Sequence, residues 1–435
     1  MLTTSITLPK ARRSRAISFP YSAQLFLMFQ LTCDSIKMMK LRRTTRNLML
    51  YLLVSACTLT SCIEEYNADI SAEDSNLLVV EGTICAAQRN KFYLTRTQAL
   101  NSSATPQNVT GAKVSVRGSD GSEYQAQAAS GYYACEIGQL NPDAEYYLHI
   151  EADGETYESE PQQPLRTEKI AEIRGVQNTP SSNIDVLITP ADPFAPSEAN
   201  YYMWTYDETW QVYPDYMTTM YYDTEIKGPV FISNPFPLYG WVDATGSTTT
   251  VGASTSYDNQ HIRNLKIYDI GRSNVRMYHR YSGLVHQRAI SKGEYEYELA
   301  RRQASSEMGG LFTPLPSTLP TNIHCLTSSK HVIGFVGCSM NTSDYRFFLN
   351  GSEFSIHHPT VTDTRRWLEN PNAEDCLHMV NQGFYLCEWI LPEMSDDNKL
   401  HTAWATIQQL DVRYKYPGVY IEEPDFWSLK ENVSY

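Results

Sequence analysis

Between Leu77 and Ser159 the chain repeats one short pattern seven times, and that rhythm limits the fold more than any other feature. The segments are Leu77–Ile84, Phe92–Thr97, Ala112–Gly118, Glu123–Ala128, Tyr132–Glu136, Glu145–Glu151 and Glu155–Ser159. They recur at intervals of about 8 to 15 residues, the spacing of strands in a sandwich. Asp120-Gly121 and Asp153-Gly154 supply hairpin turns between them, because glycine takes positive φ without steric cost. Within Glu145–Glu151, Tyr146, Leu148 and Ile150 share one face, so His149 falls on the other and is expected to meet solvent.

The rhythm ends at Pro161-Gln162-Gln163-Pro164, which reads as a linker. The expected architecture is mainly β: an N-terminal immunoglobulin-like β-sandwich over residues 77–167, then a larger β-rich domain over 168–435 with one inserted helix. In the second part Ile184–Ile188, Asn200–Trp210, Val332–Val336, Tyr345–Leu349 and His401–Val412 read as strands, while a Tyr-, Gly- and Pro-rich stretch reaching about Ser254 shows no alternation. The helix is predicted near 291–305. Ser291 and Glu294 have the spacing of a capping box, Gly309-Gly310 stops the helix, and Pro314, Pro316 and Pro320 forbid its return. Thirty tyrosines fit the same class, since Tyr suits a half-buried pleated surface.

Ahead of the sandwich stand a basic stretch (Lys40, Arg42, Arg43, Arg46), an apolar run from Leu48 to Ala56, and the box Leu59-Thr60-Ser61-Cys62. That order is a bacterial lipoprotein signal, its apolar part too short to cross a bilayer. Residues 38–61 are expected to be removed, with Met38 or Met39 as the true start and residues 1–37 outside the protein. Val54-Ser55-Ala56-Cys57 fits the box loosely, but apolar residues follow Cys57, whereas Ile63-Glu64-Glu65 follow Cys62. Cys62 is therefore the expected lipid anchor to a membrane, each buried CH2 contributing about 0.8 kcal/mol. Residues 62–76 would form a polar tether, and Glu64-Glu65 resembles the surface-export tag of Bacteroidota lipoproteins, which implies an outward-facing protein.

Removing residues 1–61 takes away nine Lys/Arg and one Asp/Glu, leaving 26 against 48 and a net charge of about −22. No basic stripe survives to bind phosphates, so nucleic acid is excluded as a partner. Cys85, Cys135, Cys325, Cys338, Cys376 and Cys387 remain beyond the anchor. Export permits disulfides among them, and spacing makes Cys325 with Cys338 and Cys376 with Cys387 the local pairings to expect. Cys376-x-His378 and His357-His358 are too sparse for zinc, so no metal is expected. There is no G-x-S-x-G, H-E-x-x-H, Walker or dinucleotide fingerprint, so neither a cofactor nor an enzyme is expected.

The residues best suited to binding are Tyr202, Trp204 and Tyr206, which a strand would project to one face, with Trp210 behind them. They offer either a stacking platform or, by the usual behaviour of large aromatics in two-sided strands, a sandwich core. Pro424 to Trp427 reads as a C-terminal plug of the core.

Several short motifs in order resemble an uncharacterised Bacteroidota family, domain of unknown function 4249. They are Leu78-Val79-Val80-Glu81-Gly82, Thr110-Gly111-Ala112-Lys113-Val114 and Gly131-Tyr132-Tyr133, then Ile290-Ser291 leading to Tyr295, Gly310-Leu311-Phe312 with Pro316 and Asn322, Ile333-Gly334-Phe335-Val336, and Pro424-Asp425-Phe426-Trp427. The resemblance implies an outer-membrane lipoprotein, often encoded beside a TonB-dependent receptor, acting as the accessory binding subunit of a nutrient transporter. It brings no catalytic residues. The alternative from the structural class is a fimbrial or adhesive surface subunit, whose donor strand would be freed by cleavage at Arg89. Intact-mass analysis of natively produced protein is expected to find a chain beginning at Cys62 with diacylglycerol on its sulfur; an unmodified chain starting elsewhere would remove the anchor.

Overall fold

The computed structural model describes residues 76–97, 107–194, 199–233, 235–307, 319–359, 362–429 and 432–434. Residues 1–37, the signal 38–61, Cys62, the tether up to residue 75, Gly309-Gly310, Pro314 and Pro316 lie outside the described residues. Among the described residues no helix is long and apolar enough to cross a membrane. Seven elements carry most of the architecture: β1 (Leu78–Cys85), β2 (Gln88–Arg96), β3 (Tyr201–Val212), β4 (Arg280–Ala289), α1 (Lys292–Glu307), β5 (Val332–Ser339) and β6 (Ser343–Asn350).

The protein is mainly β, as the strand rhythm requires. One sheet of the first sandwich runs β5, β1, β2, Tyr133–Ile137, Gln127–Ala128; the other runs Ile323–Cys325, Glu155–Ser159, Tyr146–Ala152, Lys113–Gly118, Glu123–Gln125. Leu78, Val80, Phe92 and Leu94 of the first face Val114, Val116, Leu148 and Ile150 of the second in one buried cluster. Full burial of such side chains contributes roughly 1.5–3 kcal/mol each.

This sandwich does not close within 77–167. β5 pairs in parallel with β1 from Leu78↔Val332 to Cys85↔Ser339, and Ile323–Cys325 pairs with Glu155–Ser159. A parallel neighbour needs a long crossover, and here that crossover carries the rest of the first sandwich and then β3, β4 and α1 of the second domain. Gly334 permits the approach: its φ is +131°, and a Cβ there would lie 1.9 Å from the Val80 carbonyl oxygen. Pro161-Gln162-Gln163-Pro164 is likewise docked rather than free, Gln162 and Tyr146 exchanging backbone hydrogen bonds of 2.8 and 2.9 Å.

In the second domain a three-stranded sheet (Glu172–Val176, Ile184–Thr189, Leu265–Ile270) packs on a larger one built around β3, β4 and β6. Ile184, Val186 and Ile188 bury against Trp204, Tyr281 and Phe347. A third cluster joins the sheet of Arg366–Glu369, His401–Thr406 and Phe384–Ile390 to the hairpin Met220–Asp223/Gly228–Phe231 and to a second helix, α2 (Ala373–Asn381). Three expectations change in this part. The stretch before Ser254 holds four strands, Met220–Asp223, Gly228–Phe231, Gly240–Thr245 and Thr250–Ala253. The strand expected over His401–Val412 stops at Thr406, because Gln409 Oε1 accepts from the Thr406 backbone N–H at 2.9 Å and starts a helical turn. The Cys325–Cys338 and Cys376–Cys387 pairings do not form. Cys325 is half-buried and donates to Glu155, Cys338 sits in the sandwich core, and Cys376 and Cys387 belong to different buried clusters.

α1 spans Lys292–Glu307 and is capped by Ser291, whose Oγ accepts from the Glu294 N–H at 3.2 Å. The other half of the capping box is absent because the Glu294 carboxylate turns to Arg288, receiving Nη1 at 3.0 Å and Nη2 closely. The pair is buried, Arg288 at 7% and Glu294 at 5% exposure. Gly337 of β5 makes room for it, since a Cβ there would stand 2.2 Å from Glu294 Oε2. Thr167 and Asn341 complete the joint: Thr167 N–H donates to Asn341 Oδ1 at 3.0 Å, Thr167 Oγ1 donates to the Asn341 carbonyl at 2.7 Å, and the Ala289 N–H donates to Thr167 Oγ1 at 3.0 Å. Arg288→Met leaves a buried carboxylate without its cation, so denaturant unfolding is expected to show a loss of about 3–5 kcal/mol. A loss below about 1 kcal/mol would show that water reaches the carboxylate in the folded state.

Candidate functional site

Where the first sandwich meets β3 and α1 there is a cleft of about 460 Å³. Its size is that of a small-molecule site, and domain interfaces are where such sites occur. One wall comes from the register of the first sheet. Glu81 of β1 lies opposite Phe335 of β5 and opposite Tyr93 of β2. Residues directly paired in adjacent strands project to the same face, so the three form a row of ring, carboxylate, ring. Tyr297 of α1 adds a third ring, its centroid 5.9 Å from that of Phe335. The facing wall carries Met203, Thr205, Thr249 and Arg288.

The charges of this cleft are nearly self-contained. Burial opposes the Arg288 guanidinium's charge, but the Glu294 carboxylate outweighs it and holds the pKa above its ordinary value. Arg301 donates to Glu298 through Nε at 3.0 Å and Nη2 at 2.7 Å. Glu81 is exposed and makes no hydrogen bond or close ion pair among the described residues, though against burial its charge helps Glu298 hold the Arg301 guanidinium's pKa above its ordinary value. The Tyr297 hydroxyl is pushed up to about 12, first by burial and then by Glu81 and Glu298. Three carboxylates therefore face two guanidiniums, and the one negative charge left over belongs to the row of rings.

Beside the cleft the polar face of the second domain continues along β4. Thr205 of the cleft wall pairs with His286. The His286 ring bridges two carboxylates on neighbouring strands, Nδ1 to Asp344 Oδ1 at 2.9 Å and Nε2 to Asp207 Oδ2 at 3.2 Å. Hydrogen bonding to Asp344 raises its pKa, burial works against this, and Asp207 adds to the rise. Among the described residues no group of three His, Cys, Asp or Glu is placed to hold a metal ion.

The aromatic platform becomes core. Tyr202 and Trp204 are each 1% exposed and Tyr206 is 7%. The Trp204 indole donates to Gln287 Oε1 at 2.8 Å and the Tyr202 hydroxyl donates to Glu168 Oε2, while Tyr206 stacks on Tyr268 at 3.7 Å between centroids. Trp210 packs half-buried on the same cluster, its indole N–H enclosed and unpartnered among the described residues. The rings of Tyr202, Trp204 and Tyr206 offer no face to a ligand, because the three-stranded sheet covers that side, while Trp210 stays partly exposed at its edge. His149 is also corrected, being 8% exposed, with Nδ1 2.8 Å from Glu158 Oε1; flanking polar side chains on the neighbouring strands shield it. Trp427 is buried as a plug, and Arg280 donates to the carbonyls of Trp427 and Leu429. The anchor Cys62 is outside the described residues. Sequence reasoning passed over Glu81, Tyr93, Tyr297 and Phe335 as ligand groups. Two of them stand inside short motifs, Leu78-Val79-Val80-Glu81-Gly82 and Ile333-Gly334-Phe335-Val336, which are register neighbours in space.

The sequence model described as Domain of unknown function (DUF4249) matches residues 63–344, which includes every element lining the cleft. A search of curated proteins finds no match.

His286 gives a pH signature. Its folded pKa lies above the unfolded value of about 6.5, so its contribution to stability is fully present below about pH 6.5 and is lost as pH rises through the folded pKa. Thermal unfolding of wild type and His286→Asn is expected to differ more near pH 6 than near pH 9. A difference that does not change with pH would mean that the imidazole is uncharged in its carboxylate bridge.

Proposed function

The chain belongs to the family of domain of unknown function DUF4249, and from that premise we propose that it is a surface-exposed, lipid-anchored outer-membrane lipoprotein serving as the accessory binding subunit of a TonB-dependent nutrient transporter. Its contribution is affinity, with no bond made or broken. The observation that carries this reading is the cleft at the domain joint, which has the volume and the mixed aromatic and polar lining of a ligand site. The joint beneath it is fixed by buried polar bonds, so the cleft is preformed, and a preformed site loses little free energy to ordering on binding.

Further support comes from the chain's N-terminal region. The Leu59-Thr60-Ser61-Cys62 box supplies the anchor, and Glu64-Glu65 supplies the surface tag. The resemblance set out above adds the transporter as neighbour. In this arrangement the anchor keeps the cleft within a tether's length of the pore, and capture near the membrane raises the local solute concentration at the transporter's mouth.

Outer membranes of the native organism, solubilised in a mild non-ionic detergent, are expected to yield a β-barrel receptor with this lipoprotein in a fixed ratio. Recovery of the lipoprotein alone, under conditions that keep other barrel complexes intact, would defeat the transporter assignment.

A further inference from the structure

We propose that the cleft at the domain joint binds an organic ammonium group, held against Glu81 among the rings of Tyr93, Phe335 and Tyr297. The inference rests on the reading of that cleft as the ligand site and names the chemical class it selects.

Three observations lead to it. The first is the register: Glu81 is paired with Phe335 on one side and Tyr93 on the other, so a carboxylate lies between two aromatic side chains on one sheet face. Tyr297 comes across from α1 beside Phe335. A cation near ring faces is attracted by their quadrupoles, and a carboxylate among them adds full charge to the same spot. The second is the state of the other charges. Arg288 is buried against Glu294, and Arg301 bonds Glu298 and also lies in the field of Glu81, so both guanidiniums are already balanced by carboxylates. The third is the remaining polarity. Thr205 and Thr249 on the facing wall offer hydroxyls that can accept from an ammonium N–H or bond to a polar tail.

Other ligand classes fit less well. An anion would meet three carboxylates and two neutralised arginines. An apolar or uncharged ligand that covered the row would desolvate Glu81 without supplying a counter-charge, which is unfavourable. A cation removes that cost and completes the charge balance of the cleft.

The test uses the full chain in detergent micelles and isothermal titration calorimetry with choline, cadaverine and dimethylbutanol, the uncharged carbon isostere of choline. At least one of the two amines is expected to bind while dimethylbutanol binds at least tenfold more weakly. Glu81→Gln is expected to weaken amine binding on the order of tenfold, and Tyr93→Leu several-fold. Glu81 is exposed, so the thermal midpoint of Glu81→Gln should match wild type and certify that the variant is folded. Equal affinity for choline and dimethylbutanol, an unchanged affinity in folded Glu81→Gln, or no binding of either amine would overturn the proposal. Co-purification with a β-barrel is measured on a separate sample, so loss of the ligand class and loss of the transporter role are told apart.

Discussion

The Arg288–Glu294 ion pair is the constraint on which the rest of the structure depends. It is buried where three elements meet: Arg288 ends β4, Glu294 starts α1, and Gly337 of β5 lies directly beneath the carboxylate. A buried pair of this kind is a poor source of net stability, because desolvation cancels most of the Coulomb gain. Its effect is on arrangement. If α1 slid by one turn, two charges would be left unpaired in a low-dielectric joint, and if β5 shifted by one residue, a side chain would replace Gly337 and clash with the Glu294 carboxylate. The pair therefore fixes the register of β5 beside β1, and that register places Phe335 opposite Glu81. The cleft is a by-product of how the domains are bolted together.

The same joint explains the order of the chain. β5 is the edge strand of the first sandwich yet lies in sequence between β4 and β6 of the second domain, so the first sheet is complete only after the crossover has been made. Contacts this far apart are slow to form, since loop closure precedes the reward. Leu78, Val80 and Ile84 are buried next to β5, so the first domain alone would expose one side of β1 as an unpaired edge. The two domains are best regarded as one cooperative body.

Much of the fold was legible because the first sandwich alternates cleanly. Most expected and observed strands there differ by only a few residues at their ends, and Glu155–Ser159 coincides, but the strand expected over Glu123–Ala128 divides between the two sheets as Glu123–Gln125 and Gln127–Ala128. β4 was illegible for a physical reason. Its buried face reads Tyr281, Gly283, Val285, Gln287, Ala289, which interrupts the apolar pattern twice. Gly283 is required because a Cβ would sit 2.4 Å from the Phe347 ring, and Gln287 is buried to bond the Trp204 indole and the Glu168 and Pro190 carbonyls. Function was harder to read than fold. Tyr202, Trp204 and Tyr206 have the composition of a binding platform, and only the second sheet lying over them makes them core. Glu81 and Phe335 look like ordinary strand residues until the parallel pairing sets them side by side. The Ser291-x-x-Glu294 signature marked the helix start correctly, while the destination of the carboxylate depended on Arg288 arriving from another strand.

Charge ties the site to the whole molecule. A chain of net charge −14 sets up a negative potential that draws cations toward it and turns anions away, within a Debye length of about 8 Å at physiological salt. Such a field acts on encounter rate and is weakened by salt. It does not by itself choose among amines, because every cation feels it alike. Selection requires short-range groups that distinguish a poorly hydrated organic ammonium from sodium, and aromatic rings do so because they favour cations that shed water cheaply. The row Phe335–Glu81–Tyr93 joins both scales: the carboxylate is the local end of the acidic field, and the rings beside it are the filter.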